Sequence, residues 1–242
     1  MGQRQTTLRV SEGIYQLFPE AVLGIVAFRN IGNAGERPEL VAALREAEAL
    51  TVERFAGVVI NDHPQIAPWR EAYRRFGAKP KDYPSSVENL VRRVAKGHHL
   101  PHINRLVDLY NLVSLRHIVP VGGEDMDQIE GDVNLTLASD HEAPIQMLGE
   151  TEARPPRTGE VIYKDDVGAI CRRWNWKEAE RTKFTESTRD GFLVVEGLPP
   201  VDRNRIEQVI EELAGLVTTY CGGEVRSGLV TVQRPSFVLR EK

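Results

Sequence analysis

From Val119 to about Glu196 the chain is a succession of short segments rich in β-branched residues, and this block most constrains the fold. VNLTLAS alternates apolar and polar positions, while VIYKDD, GAICRRWNW and FLVVEGL are each bounded by Gly, Pro or Asp clusters. Both patterns predict strands. Helical periodicity flanks the block. Upstream, Leu40, Leu44, Ala47 and Phe55 share one face of a segment over 37–55, and Ile66, Trp69, Tyr73 and Phe76 recur at spacings of three and four before Gly77. Ser85-x-x-Glu88 forms a capping box ahead of Val87, Leu90, Val91 and Val94, and Gly97 closes that helix. The next helix, roughly 102–116, has Ile103, Leu106, Val107, Tyr110 and Val113 as its expected buried stripe, with Asp108 and Asn111 beside it.

Downstream, Ile206, Val209, Ile210 and Leu213 mark a helix over about 203–220, stopped by Gly222-Gly223 and followed by a strand, GLVTVQ. LRVSEGIYQLF and VLGIVAFRNI read as two strands at the start. The order is two strands, four helices, a strand block, a helix and a strand. That order predicts an α+β protein with sheet layers covered by helices. No repeat or Gly/Ser linker divides it, so 1–242 reads as one domain, with about 1–100 as a helix-rich accessory layer and about 101–242 as the core.

Composition narrows the function classes. At 242 residues and 41% hydrophobic, the chain can bury a sizeable core. It contains no apolar run of 18 residues, so no membrane partner is expected. MGQRQTTLRV lacks the apolar stretch of a secretory signal, and Thr6 is a poor cue for myristoylation of Gly2. Cys171 and Cys221 lack metal-ligand spacing and read as reduced thiols of a cytoplasmic protein. The oligomeric state is left open, since no heptad or exposed apolar stripe points to a partner. Net charge is −4, but the stretch Arg70–Arg105 carries nine Lys/Arg against three Asp/Glu, leaving −10 elsewhere. Such a stretch is either a solvated helix face or a surface that meets a phosphate backbone.

GxSxG, Walker, HExxH and GxGxxG patterns are all missing. Gly122-Gly123 is expected to be a tight turn, and Glu124, Asp125 and Asp127 after it an acidic surface turn without EF-hand spacing. His98-His99-x-x-His102 has no carboxylate at zincin spacing and reads as a polar helix start. No metal and no cofactor are therefore expected. Arg172, Arg173 and Asn175 flank Trp174 and Trp176 in a strand context. The tryptophans serve either as core anchors or as a ligand wall, with indole faces for stacking and Asn or Arg as donors.

The run from Ile103 to Ile129, CRRWNW, KFTESTRD and LVVEGL together resemble the B3/B4 unit, the tRNA-editing module of the bacterial phenylalanyl-tRNA synthetase beta subunit. They are still more similar to stand-alone proteins carrying that unit. The resemblance covers about 100–240. It implies a three-layer sandwich of packed β-sheets covered by helices. It also implies contact with the acceptor end of tRNA rather than DNA, and hydrolysis of mischarged aminoacyl-tRNA, the synthetase unit clearing tyrosine from tRNA for phenylalanine. An apolar pocket rejects an isostere that adds a hydroxyl only ~10²-fold, so a second, hydrolytic site is useful.

Residue by residue, the resemblance places Tyr110-Asn111 where the synthetase has Thr-Asn, Glu124 near a pocket histidine, and Glu196 at the glutamate that reads the phenol hydroxyl. Under this reading Asn111 and Glu124 are catalytic, positioning water or the terminal ribose. Tyr110, Arg173, Trp174, Asn175 and Glu196 bind substrate, and Arg74, Arg75, Arg92 and Arg93 meet tRNA. The alternative is a non-catalytic RNA or small-molecule binding module on the same fold.

Overall fold

The structure is a computed structural model that describes residues 5–241; Gly2 lies outside them, whereas Thr6 opens the first strand. The helices are α1 (Glu12–Leu17), α2 (Pro38–Arg54), α3 (Ala67–Arg75), α4 (Ser86–Ala95), α5 (Arg105–His117) and α6 (Arg203–Cys221). The strands are β1 (Thr6–Val10), β2 (Val22–Arg29), β3 (Val121–Asp125), β4 (Val133–Leu137), β5 (Ile145–Gln146), β6 (Ala153–Arg154), β7 (Val161–Lys164), β8 (Ala169–Arg172), β9 (Lys177–Glu178), β10 (Gly191–Gly197), β11 (Glu224–Val230) and β12 (Ser236–Arg240).

Two sheets dominate. One runs β12-β1-β4-β7-β8-β9, with β1 and β4 parallel and its other pairs antiparallel. The other is the antiparallel order β11-β2-β10-β3. β1 and β2 thus join one sheet each, and β5 pairs with β6 in a separate small ribbon. Helices, the four-stranded sheet and the six-stranded sheet make three layers, an α+β sandwich as expected.

The layers meet through strands apolar on both faces. Every residue of β10 is buried. Val195 and Gly197 share the face toward α6, while Phe192, Val194 and Glu196 project from the other, as strand alternation requires. α6 packs so closely on this sheet that a Cβ at Gly24 would lie 2.3 Å from Ile210 Cγ2 and 2.7 Å from Ile206 Cγ2. Gly24→Ala is therefore expected to destabilise the protein by about 1–3 kcal/mol through overpacking, read as a lower urea midpoint at unchanged m-value.

Several local expectations need correction. EGIYQL, within the first expected strand, is α1: a helical turn buries Ile14 and Tyr15 together, which strand alternation would separate. Gly122-Gly123 lies in β3 rather than in a turn. The glycines serve close approach, since a Cβ on Gly123 would sit 2.2 Å from the Phe192 carbonyl oxygen. Asp125 is accordingly buried, not part of a surface acidic turn.

α5 starts at its N-cap Asn104, whose side chain accepts from the Val107 N–H. It contacts α2, α4 and α6 and is buried nearly all round, so Asp108, Leu109, Leu112 and Ser114 are inside while Ile103 is 54% exposed. β12 is an additional strand, returning antiparallel on β1. No helix among the described residues is long and apolar enough to cross a membrane.

Candidate functional site

A cavity of about 410 Å³ opens between the two sheets. The four-stranded sheet contributes Gly122–Glu124 of β3 and Phe192, Val194 and Glu196 of β10. The six-stranded sheet contributes Tyr163, Ile170, Cys171 and Glu178, and α4 and α5 add Leu90, Arg93, Tyr110 and Asn111. The volume lies in the range of small-ligand sites, and the apolar lining with a few convergent polar groups is typical of them.

Three carboxyl groups face this space. Glu124 is 4% exposed, and its Oε2 is buried without a hydrogen-bond partner. Burial, and then the neighbouring Glu178, push its pKa well above the ordinary carboxylate value. Glu178 is raised as well, by burial, although the Gly123 N–H donates to its Oε1 at 3.4 Å. These two acids face one another across Gly122, where a Cβ would stand 2.9 Å from Glu178 Oε1. Two adjoining buried carboxyls cannot both ionise cheaply, so their mutual repulsion acts in the same direction as burial.

Glu196 is different. Its Oε1 accepts from the Tyr163 hydroxyl at 2.5 Å and its Oε2 from Asn175 Nδ2 at 2.6 Å, while Asn175 Oδ1 accepts from the Tyr73 hydroxyl at 2.9 Å. Burial raises Glu196 to about 7. Both oxygens are engaged, so it forms a polar floor within a Tyr73–Asn175–Glu196–Tyr163 chain. By contrast, Asn111 and the Tyr110 hydroxyl make no side-chain hydrogen bond to any described residue and stay available to a ligand. Burial and then Glu178 and Glu124 raise the Cys171 thiol far above its usual value, so it is no activated nucleophile.

Asn111, Glu124, Tyr110, Trp174, Asn175 and Glu196, separated widely along the chain, thus converge on one cavity. Trp174 touches it as a core side chain, 0% exposed, packed at 4.9 Å on Phe18 and edge-on at 5.1 Å to Trp69. Arg173 does not line this cavity: its left-handed backbone (φ 48°) turns it to a separate small pocket. The arginines of the expected basic stretch have varied surroundings. Arg74 pairs with Glu71, Arg75 donates to the Leu17 carbonyl, and Arg92 bonds Glu88 and Asn61. Of the four arginines expected to meet tRNA, Arg93 is the one at the cavity, and it is exposed.

Sequence reasoning missed Glu178, Tyr163 and Tyr73. Trp176 and Glu178 stand two apart in WNWKEAE, and that spacing was the available signal for Glu178. Tyr163 and Tyr73 gave none, because each joins the site only through its long-range hydrogen bond. Among the described residues no group of three or more His, Cys, Asp or Glu is placed to hold a metal ion. His99 and His102 are each bound to a carboxylate, Glu48 and Asp108, at 2.6 Å.

The family model described as "B3/4 domain" matches residues 68–222, most of the chain and every residue of this cavity. The chain belongs to the B3/4 domain family. Among solved structures, the B3/4 protein is similar to an N-terminal fragment of the phenylalanyl-tRNA synthetase beta-subunit from Pyrococcus horikoshii, at 13% identity and a TM-score of 0.47. That alignment covers 93% of this chain but only 52% of the fragment, so the B3/4 chain spans about half its length. A comparison with curated proteins finds no significant match.

Proposed function

We propose that this B3/4 protein hydrolyses the ester of mischarged aminoacyl-tRNA, with an aromatic or related amino acid in the cavity. The observation that carries this reading is Glu124: a carboxyl almost wholly buried, with an unpartnered oxygen, in the same cavity as the unbonded amide of Asn111. An aminoacyl ester is already activated, so hydrolysis needs mainly a positioned water and donors for the developing oxyanion. No Ser-His-Asp apparatus is required.

In this reading Asn111 and Glu124 hold the water. Its oxygen attacks the ester carbonyl while its proton passes to ionised Glu124. The bond to the ribose oxygen then breaks and that oxygen takes the proton back. A base with a raised pKa suits this task near neutral pH. The substrate's ammonium group offsets the charge of the Glu124–Glu178 pair. The Glu196 chain and Tyr110 shape the amino-acid pocket, and exposed Arg93 meets the acceptor end of the tRNA.

The test is release of amino acid from tyrosyl-tRNA for phenylalanine, with correctly charged phenylalanyl-tRNA and other mischarged aromatic tRNAs alongside. Wild-type protein releases the mismatched residue, and Asn111→Ala and Glu124→Gln each slow that step by ~10–100-fold at unchanged thermal stability. Absence of release from every mischarged aromatic tRNA overturns the proposal. If tRNA is then still retained in a salt-sensitive way, the non-catalytic binding module stands in its place.

A further inference from the structure

The second pocket, about 100 Å³, lies under Arg173 and is lined by Lys79, Asp82, Tyr83, Arg157 and Glu160. A single buried water needs roughly 10–15 Å³ on this measure, so there is room for a tetrahedral group. Arg173 is 5% exposed and its Nη1 has no hydrogen-bond partner. Its guanidinium packs in the corner of two aromatic rings that meet edge-on at 5.0 Å, lying 3.7 Å from the Tyr83 ring centroid and 4.4 Å from that of Trp176. The rings hold the guanidinium without engaging its in-plane N–H edge, where Nη1 has no partner among the described residues. That edge is the fork that fits an oxyanion.

The backbone fixes this side chain at a cost. Arg173 and Trp174 both have positive φ, 48° and 63°, a conformation that costs non-glycine residues about 1–2 kcal/mol each. It is held by the Arg173 N–H donating to Glu160 Oε1 at 3.2 Å and the Trp174 N–H donating to the Val161 carbonyl at 2.7 Å. One carboxylate serves two guanidiniums here: Glu160 is bound by Arg172 at 2.8 and 2.9 Å, and the Arg173 Nη2 lies 3.9 Å from it, so the trio keeps one net positive charge. Lys79, Arg157 and Arg173 therefore face Asp82 with net positive charge. Lys79 and Arg157 are exposed and their side chains make no hydrogen bond to any described residue.

We propose that this pocket is an oxyanion site that takes a phosphoryl group, bound by the free edge of Arg173 with Lys79 and Arg157 closing over it. The inference stands independently of the hydrolysis proposed for the larger cavity. A phosphoryl group can come from a nucleic-acid phosphate or from a small phosphate compound, and the chemistry of recognition is the same.

The experiment titrates the full chain with inorganic phosphate, followed by ³¹P NMR, with sulfate as competitor and chloride at matched ionic strength as control. Wild type shows saturable binding that sulfate displaces and chloride does not. The double variant Lys79→Ala/Arg157→Ala weakens it about tenfold or more, and Arg173→Lys, which keeps the charge but loses the fork, weakens it comparably. The double variant removes only exposed side chains, so the test holds even if Arg173 variants fail to fold.

A 5′-phosphorylated tRNA and its dephosphorylated form identify the source. Preference for the phosphorylated form, lost in the double variant, assigns the phosphoryl group to nucleic acid. Loss of inorganic phosphate binding with unchanged tRNA binding assigns it to a small compound. Either result supports the site. Lack of saturable phosphate binding to wild type, or full affinity retained by the double variant, overturns it.

Discussion

Glu160→Ala is expected to lower stability by about 3–5 kcal/mol, one of the two largest single-residue effects predicted for this protein. Glu160 and Arg172 are 3% and 6% exposed and form a bidentate pair at 2.8 and 2.9 Å. Burial alone would raise the Glu160 pKa, but the hydrogen bonds from Arg172 and the charges of Arg173 and Arg172 outweigh it and hold the carboxyl below its usual value. The guanidinium of Arg172 has no other hydrogen-bond partner among the described residues. Removing the carboxylate thus strands one buried cation beside a second, Arg173. It also frees the Arg173 N–H that holds the left-handed turn. Urea denaturation at neutral pH reads the loss, and a domain of this size should melt roughly 10 °C lower. The double variant Arg172→Met/Glu160→Ala should regain part of it, because the stranded charge is gone. A change below about 1 kcal/mol in the single variant would show that the pair is better hydrated than its burial implies.

Stability should also fall as pH rises through the range set by Glu196. Burial penalises the charged form and pushes its carboxyl up from the ordinary value of 4.5 to about 7 in the folded protein. A raised carboxyl favours the native state while protonated. Its contribution is therefore fully present below the unfolded value and is lost as pH rises through the folded one. The full span is worth about 3 kcal/mol between pH ~4.5 and ~7. Glu124 and Glu178, raised for the same reason, act in the same direction.

His63 and His117, whose pKa burial lowers, act in the opposite sense near pH 6, so the clean comparison is wild type against Glu196→Gln. Glutamine can accept from Asn175 and donate to the Tyr163 oxygen, keeping both contacts without a charge. Unfolding free energies at pH 5 and pH 8 should differ by about 3 kcal/mol less in the variant than in wild type. Identical pH dependence in the two proteins would mean that Glu196 is solvated.

The two effects have different roots. Glu160 is a carboxylate kept ionised by cations that the chain supplies, whereas Glu196 is a carboxyl whose pKa burial raises even though the Tyr163 and Asn175 hydrogen bonds oppose the shift. Only the second kind is suited to chemistry near neutral pH, and the cavity collects such groups. The same contrast separates the two pockets: the larger is lined by buried carboxyls with raised pKa, the smaller by cationic side chains.

Local pattern alone determined most elements of this protein. The capping box at Ser85, the stops at Gly77, Gly97 and Gly222-Gly223, and the stripe Ile206–Leu213 all lie where periodicity placed them, since helix and strand spacing is a short-range property. The motifs at 110–111, 124, 175 and 196 likewise pointed to one site. Tertiary structure decided which of those groups are free. Glu196 is spent on Tyr163 and Asn175, whereas Glu124 keeps a buried Oε2 with no hydrogen-bond partner among the described residues. It also turned Arg173 away from the cavity through two left-handed residues, and converted a glycine pair that looked like a turn into a strand pressed on Phe192. Those outcomes depend on contacts between residues distant in the chain, and the cost of burying a charge or admitting a Cβ is set by such neighbours rather than by local sequence.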